Sequence, residues 1–81
     1  MSGDFENLLK DIRKKVGFRL PGMAVVELPS VLTDYTKKRL LAINDVDHAG
    51  EIILRAIDKI DHGSLETVDN SVKELLKNSS Y

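Results

Sequence analysis

Apolar residues recur along this chain at steps of three and four, the spacing that gathers side chains onto one face of an α-helix. In Asp4–Val16 they are Phe5, Leu8, Leu9, Ile12 and Val16. Ser2 or Asp4 is placed to cap the start of this helix and Gly17 to end it. Arg13, Lys14 and Lys15 fall in its last turn, where positive charge suits the negative end of the helix dipole.

The segment Phe18–Pro29 breaks the pattern. Pro21-Gly22 reads as a turn, and Met23-Ala24-Val25-Val26 is a four-residue apolar run, too short for periodicity to separate strand from helix. With no partner strand elsewhere in the sequence, a short helix or an ordered loop packed on the core is the favoured reading. Thr33 or Ser30 then opens a helix to about Ile43, with Leu32, Thr36, Leu40 and Ile43 on one face and Lys37, Lys38 and Arg39 mostly opposite. Asn44-Asp45 interrupts it.

Asp47 is expected to cap a longer helix ending near Asp61. Its stripe of Val46, Ala49, Ile53, Ala56, Ile57 and Ile60 is widened by Ile52 and Leu54, so the helix is apolar over much of its girth and belongs at the centre of the core. His62-Gly63 supplies its glycine C-terminus. Ser64 caps a last helix with Leu65, Val68, Val72, Leu75 and Leu76 facing inward, fraying at Asn78-Ser79-Ser80. The fold class is therefore all-α: a compact bundle of about five helices forming one domain over residues 1–81.

Composition narrows the function. Apolar residues make up 42% of the 81-residue chain, enough for a core, and the 31% that are charged are mixed in sign, with a formal net charge of −1. A duplex nucleic-acid binder draws most of its affinity from neutralising phosphates, and no positive excess is present. At this length stability is expected to be marginal, on the order of 5 kcal/mol. The absence of cysteine points to a reducing compartment and removes thiolate chemistry. No apolar run is long enough for a membrane span or a signal core, so a cytoplasmic location is expected. The sequon at Asn78-Ser79-Ser80 reads as chance.

The motifs of catalysis are missing. His48 and His62 stand fourteen residues apart, roughly 21 Å along one helix, and read as exposed surface histidines. Asp45-Val46-Asp47 resembles the start of a calcium loop but lacks the glycine and terminal glutamate at loop spacing. The glycines form no phosphate loop, and the serines lack a nucleophile-elbow context. The expectation is a protein without enzymatic activity, cofactor or metal.

Charge clusters remain. One is basic, formed by Lys10, Arg13, Lys14, Lys15 and Arg19; a second is Lys37, Lys38 and Arg39. An acidic one comprises Asp45, Asp47 and Glu51, followed by Asp58 and Asp61. The plain reading is a solvated surface of mixed charge. The sharper one is a two-sided surface that pairs with another protein or with copies of itself, since opposite patches steer encounter and fix register.

Val25-Val26-Glu27-Leu28-Pro29-Ser30-Val31-Leu32-Thr33, continuing through Asp34-Tyr35-Thr36-Lys37-Lys38-Arg39-Leu40-Leu41-Ala42, resembles the second and third helices of the caspase-recruitment domain, a branch of the death-fold superfamily. Ala49–Ile60 is similar to its fourth helix, and Ser64–Leu76 takes the place of the fifth. An aromatic residue common in that fifth helix is replaced by Leu65, Val68 and Val72, and a sixth helix is missing or reduced to a stub. Lys73-Glu74-Leu75-Leu76 also resembles a death-effector domain, without that family's charged signature. The resemblance implies homotypic assembly in innate-immune or apoptotic signalling. Arg13, Lys14 and Arg55 would be the positive side, and Asp45 and Asp47 the negative.

Two alternatives stand beside it. Lys37, Lys38 and Arg39 before a short break fit a small helical DNA-binding module loosely, although Glu51, Asp58 and Asp61 on the next helix would face phosphates badly. Phe5–Lys15 followed by Glu27-Leu28-Pro29 resembles the start of archaeal GINS replication subunits. A subunit stable only with its partner is a third class, with Ile52 or Leu54 exposed to form the interface.

Overall fold

The computed structural model describes residues 3–59 and 67–78. Helix α1 spans Asp4–Val16 and is followed by a 3-10 turn at Gly17–Arg19; α2 is Gly22–Val31, α3 Asp34–Ala42, α4 Val46–Lys59 and α5 Val68–Asn78. Among the described residues there is no strand. The all-α bundle expected from the spacing is what forms.

Local chemistry sets the boundaries, in places differently from the sequence reading. Helix α1 starts at Gly3 without a side-chain cap, so Asp4 is not the cap; it lies inside the first turn, beside the positive helix end. At the other end Gly17 adopts φ 63° and its N–H donates to the Arg13 carbonyl. That left-handed conformation is one a glycine reaches without steric cost. The middle segment is helical and runs further than expected, through Pro29 to Val31. Proline has no N–H to offer the Val25 carbonyl, so Pro29 costs α2 one hydrogen bond in its last turn.

Thr33 caps α3, its hydroxyl accepting from the Thr36 N–H at 3.3 Å. Asn44 takes a left-handed φ of 57°, which asparagine tolerates better than most residues. The cap of α4 is Asp45 rather than Asp47: its Oδ1 accepts from the backbone N–H groups of Asp47 at 3.0 Å and His48 at 3.3 Å. Two orphan donors are thereby satisfied. The expected end of α4 near Asp61, the His62-Gly63 terminus, the Ser64 cap, Leu65 and the fraying serines lie outside the described residues.

Helix α4 is the central element. Ala49, Gly50, Ile52, Ile53, Leu54 and Ala56 are all buried on it, and it packs most heavily against α5 and α1. Ile52 and Leu54 are core residues, as their place beside the stripe predicts; the obligate-subunit alternative, which needs one of them exposed, loses that support. Phe5, Leu9 and Ile12 of α1, Leu28 of α2, Leu40 of α3, and Val68, Val72 and Leu76 of α5 complete the core. Leu32, Thr36, Leu40 and Ile43 are buried together, as their spacing predicts. The helices α1 and α4 meet closely at Gly50, where an added Cβ would lie 3.2 Å from Ile12 Cγ2.

Candidate protein-docking surface

Helix α2 is apolar on two sides. Ala24 and Leu28 point into the core, whereas Met23 and Val26 are 70% and 75% exposed. Four consecutive apolar residues span more than one turn of a helix, so a single buried face cannot take them all. Met23, Val26, Glu27 and Ser30 fall at i, i+3, i+4 and i+7 and form an outward stripe, exposed throughout. Phe18, in the preceding 3-10 turn, is 92% exposed.

Arg13 joins these pieces. Its guanidinium carbon sits 5.9 Å from the centroid of the Phe18 ring, a cation–π distance. The same group lies against the first residue of α2, with Nη1 3.6 Å from the position a Cβ would take at Gly22. An aromatic ring, an arginine and the start of α2 are therefore in one place. Lys14 is exposed next to Arg13 on α1, whereas Arg19 lines a hollow between α1 and α4 with Lys15, Asp47 and Glu51; neither forms an ion pair among the described residues.

The other end of the stripe opens into a hollow of about 400 Å³ of mixed charge, where Glu6 and Asp34 stand with Lys37 and Lys38 around Phe5 and Leu41. Lys37 is held there, its ammonium donating to the Pro29 carbonyl at 2.9 Å and pairing with Asp34 at 3.5 Å. Lys38 is exposed and unpaired among the described residues. Arg39 turns back on its own helix, donating to the Tyr35 hydroxyl at 2.9 Å with its guanidinium 5.8 Å over that ring. Two members of the Lys37, Lys38 and Arg39 cluster thus have intramolecular partners.

The residues singled out by charge are dispersed. Asp47 is exposed but paired: it accepts from Lys15 of α1 at 3.0 Å, so the basic and acidic clusters meet within one molecule. Arg55 pairs with Glu51 one turn earlier at 3.1 Å. It lines a hollow with Leu75 and Asn78 on the α5 side of α4, away from Arg13. Asp45 serves α4 as its cap. Of these residues only Arg13 is placed at the exposed apolar region, by its contacts with Phe18 and Gly22; Lys14 is its exposed neighbour on α1. His48, expected on the surface, is half-buried; His62 lies outside the described residues.

Charge and motif reasoning missed Phe18, Met23 and Val26. The available signal was the apolar run itself, since a helix bearing it must expose part of it.

Among the described residues, no three His, Cys, Asp or Glu side chains converge closely enough to hold a metal ion. Among the described residues the most buried charged group is Asp69 of α5, which ties α5 to the cap of α3. It accepts from the Thr33 N–H at 3.0 Å and the Thr33 hydroxyl at 3.2 Å, and pairs with Lys73 at 3.1 Å. Burial pushes its carboxyl pKa up, but the Thr33 N–H, the clustered threonine hydroxyls and Lys73 outweigh this and hold it below the ordinary value. Every polar atom of this cluster is satisfied within the fold, which makes it structural. No family model, no curated protein and no solved structure matches the chain.

Proposed function

We propose that this chain is a protein–protein interaction module. The observation carrying the reading is the exposure of Phe18, Met23 and Val26 on one side of a domain whose other large aliphatic residues are mostly turned inward. Exposed apolar groups gathered beside charged ones have the composition of a docking surface. Single exposed apolar residues are ordinary on any protein; here Arg13 gathers an aromatic ring and the start of an apolar helix face.

A homotypic, death-fold-like assembly in innate-immune or apoptotic signalling is one form of this proposal, resting on the resemblance of Val25–Leu76. It needs an acidic counterpart for Arg13 and Lys14 on a second copy. The pairs Lys15–Asp47 and Arg55–Glu51 already engage two of the carboxylates that would serve, so the geometry favours a heterotypic partner.

Selection of displayed random peptides against the folded chain tests the module reading. Enrichment is expected to converge on ligands that the double variant Phe18→Ala, Met23→Ser no longer holds. Convergence on ligands indifferent to that variant, or no convergence together with a monomer at every concentration, would count against it. For the homotypic form, light scattering over about a hundredfold concentration range is the measurement. Growth in mass that Arg13→Glu and Lys14→Glu abolish would support homotypic pairing, and constant mass would exclude it.

A further inference from the structure

We propose that Tyr35 is a phosphorylation site whose phosphate is held by Arg39 and Lys38; this stands apart from the interaction-module reading. Tyr35 is the second residue of α3 and is 60% exposed. The guanidinium of Arg39, one turn on, donates through Nη1 to the Tyr35 hydroxyl at 2.9 Å, with its carbon 5.8 Å from the ring centroid. A guanidinium carries five donors in a planar fork that suits anionic oxygens, and here the fork meets a neutral phenol. Arg39 forms no ion pair among the described residues. Lys38 is exposed and likewise unpaired, and at i+3 it neighbours Tyr35 on the helix surface. Two cations are thus already gathered beside the oxygen to which a phosphate would be attached.

Phosphorylation forms a bond between Tyr35 Oη and the γ-phosphorus of a nucleoside triphosphate. The bond from that phosphorus to the β,γ-bridging oxygen breaks, the nucleoside diphosphate leaves, and the phenolic proton passes to solvent. A protein kinase is the class of enzyme required. The product carries a charge of about −1.5 to −2 at neutral pH and three acceptor oxygens. Arg39 and Lys38 then meet anionic oxygens in charge-assisted bonds. The first turn of α3 also favours added negative charge, because unsatisfied backbone N–H groups converge there. Asp34, the adjacent carboxylate, is already engaged by Lys37 at 3.5 Å. The consequence is a charge switch: the basic run Lys37-Lys38-Arg39 is neutralised by one modification on its own helix.

The threonines at the same helix start offer no such place. The Thr33 hydroxyl donates to Asp69 at 3.2 Å, so a phosphate there would meet a carboxylate. Thr36 is fully buried.

The test uses the Tyr81→Phe variant, whose remaining tyrosine is Tyr35. The folded chain is incubated with ATP and a broad-specificity tyrosine-kinase domain, and peptide mass spectrometry locates the phosphate. Modification of Tyr35 is expected; an unmodified Tyr35 in a chain that thermal melts show to be folded overturns the proposal. The phosphorus-31 resonance of the product is then titrated. The phosphate should lose its second proton at lower pH in the folded chain than in urea, because adjacent cations favour the dianion. Arg39→Gln should remove most of that difference and Arg39→Lys should keep part of it, a grading that a purely structural role for Arg39 would not produce. Equal titration in the folded and unfolded chains, or a difference that Arg39→Gln leaves intact, overturns the assignment. So does a phosphorylated chain that melts well below its unmodified counterpart, since the phosphate would then be repelled where it is expected to be held.

Discussion

A carboxylate with only 8% of its surface exposed destabilises a fold unless it is paired and hydrogen-bonded, and Asp69 is both. Its lowered pKa, set by the Thr33 N–H, the threonine hydroxyls and Lys73 against the opposing effect of burial, has a definite sign. The native state binds this proton more weakly than the unfolded chain does. The stabilisation is therefore complete above the ordinary value of 3.8, and is lost as pH falls through the folded-state value below it. Asp69→Asn removes the charge from bonds made to it and leaves Lys73 without its partner, so a cost of about 1.5–3 kcal/mol is expected in urea unfolding at neutral pH. The variant should also lose less stability than the parent on acidification. An unchanged urea midpoint at neutral pH would show that Asp69 contributes little. The Asp69–Thr33 tie was not legible in the sequence, because its members are 36 residues apart and nothing local to Asp69 names its acceptor role. Thr33 as a cap was legible, since a threonine before Asp34-Tyr35-Thr36 is a common helix opening.

Among the elements, α1 and α2 mark the limits of periodicity. Asp4–Val16 forms over the same residues its spacing predicts, because five apolar positions share one face and glycine ends it. For Met23–Val26 the spacing was mute, and the outcome depended on Leu20, Ala24 and Leu28 finding the core. Burial of one side made the segment a helix, and the same choice left Met23 and Val26 outside. The cap of α4 is Asp45 and not Asp47: either aspartate suits the role, and the helix starts at Val46, which leaves Asp45 to accept from the Asp47 and His48 N–H groups. Gly50 is where two elements come closest. Alanine there gains about 1 kcal/mol of helix propensity against a squeeze on Ile12 at 3.2 Å, so Gly50→Ala should be near neutral. Gly50→Leu cannot be absorbed by a few tenths of an ångström and is expected to cost more than about 2 kcal/mol in thermal unfolding. A stable Gly50→Leu variant would mean that α1 and α4 separate readily.

For the molecule as a whole, 81 residues correspond to a stability of roughly 4–12 kcal/mol. Ile53 is fully buried on the central helix, and Ile53→Ala should cost about 2–5 kcal/mol through lost burial and the cavity left behind. That is a large fraction of the total, so the variant is expected to be partly unfolded at 37 °C, as a broadened circular-dichroism melt would reveal. A small loss would indicate that α5 and α1 collapse into the space. The sequence by itself determined the helical class, which faces turn inward, and the turns at Gly17 and Asn44-Asp45, because these follow from backbone sterics and from apolar spacing within one segment. Which charges neutralise one another was decided only when the helices packed. Lys15 and Asp47 look like opposite poles of a surface when read along the chain, and α1 against α4 makes them one ion pair. The surface left over, Phe18 with the outer side of α2, is likewise a product of tertiary packing: a helix with apolar residues on two sides can bury only one of them, and its neighbours make that choice.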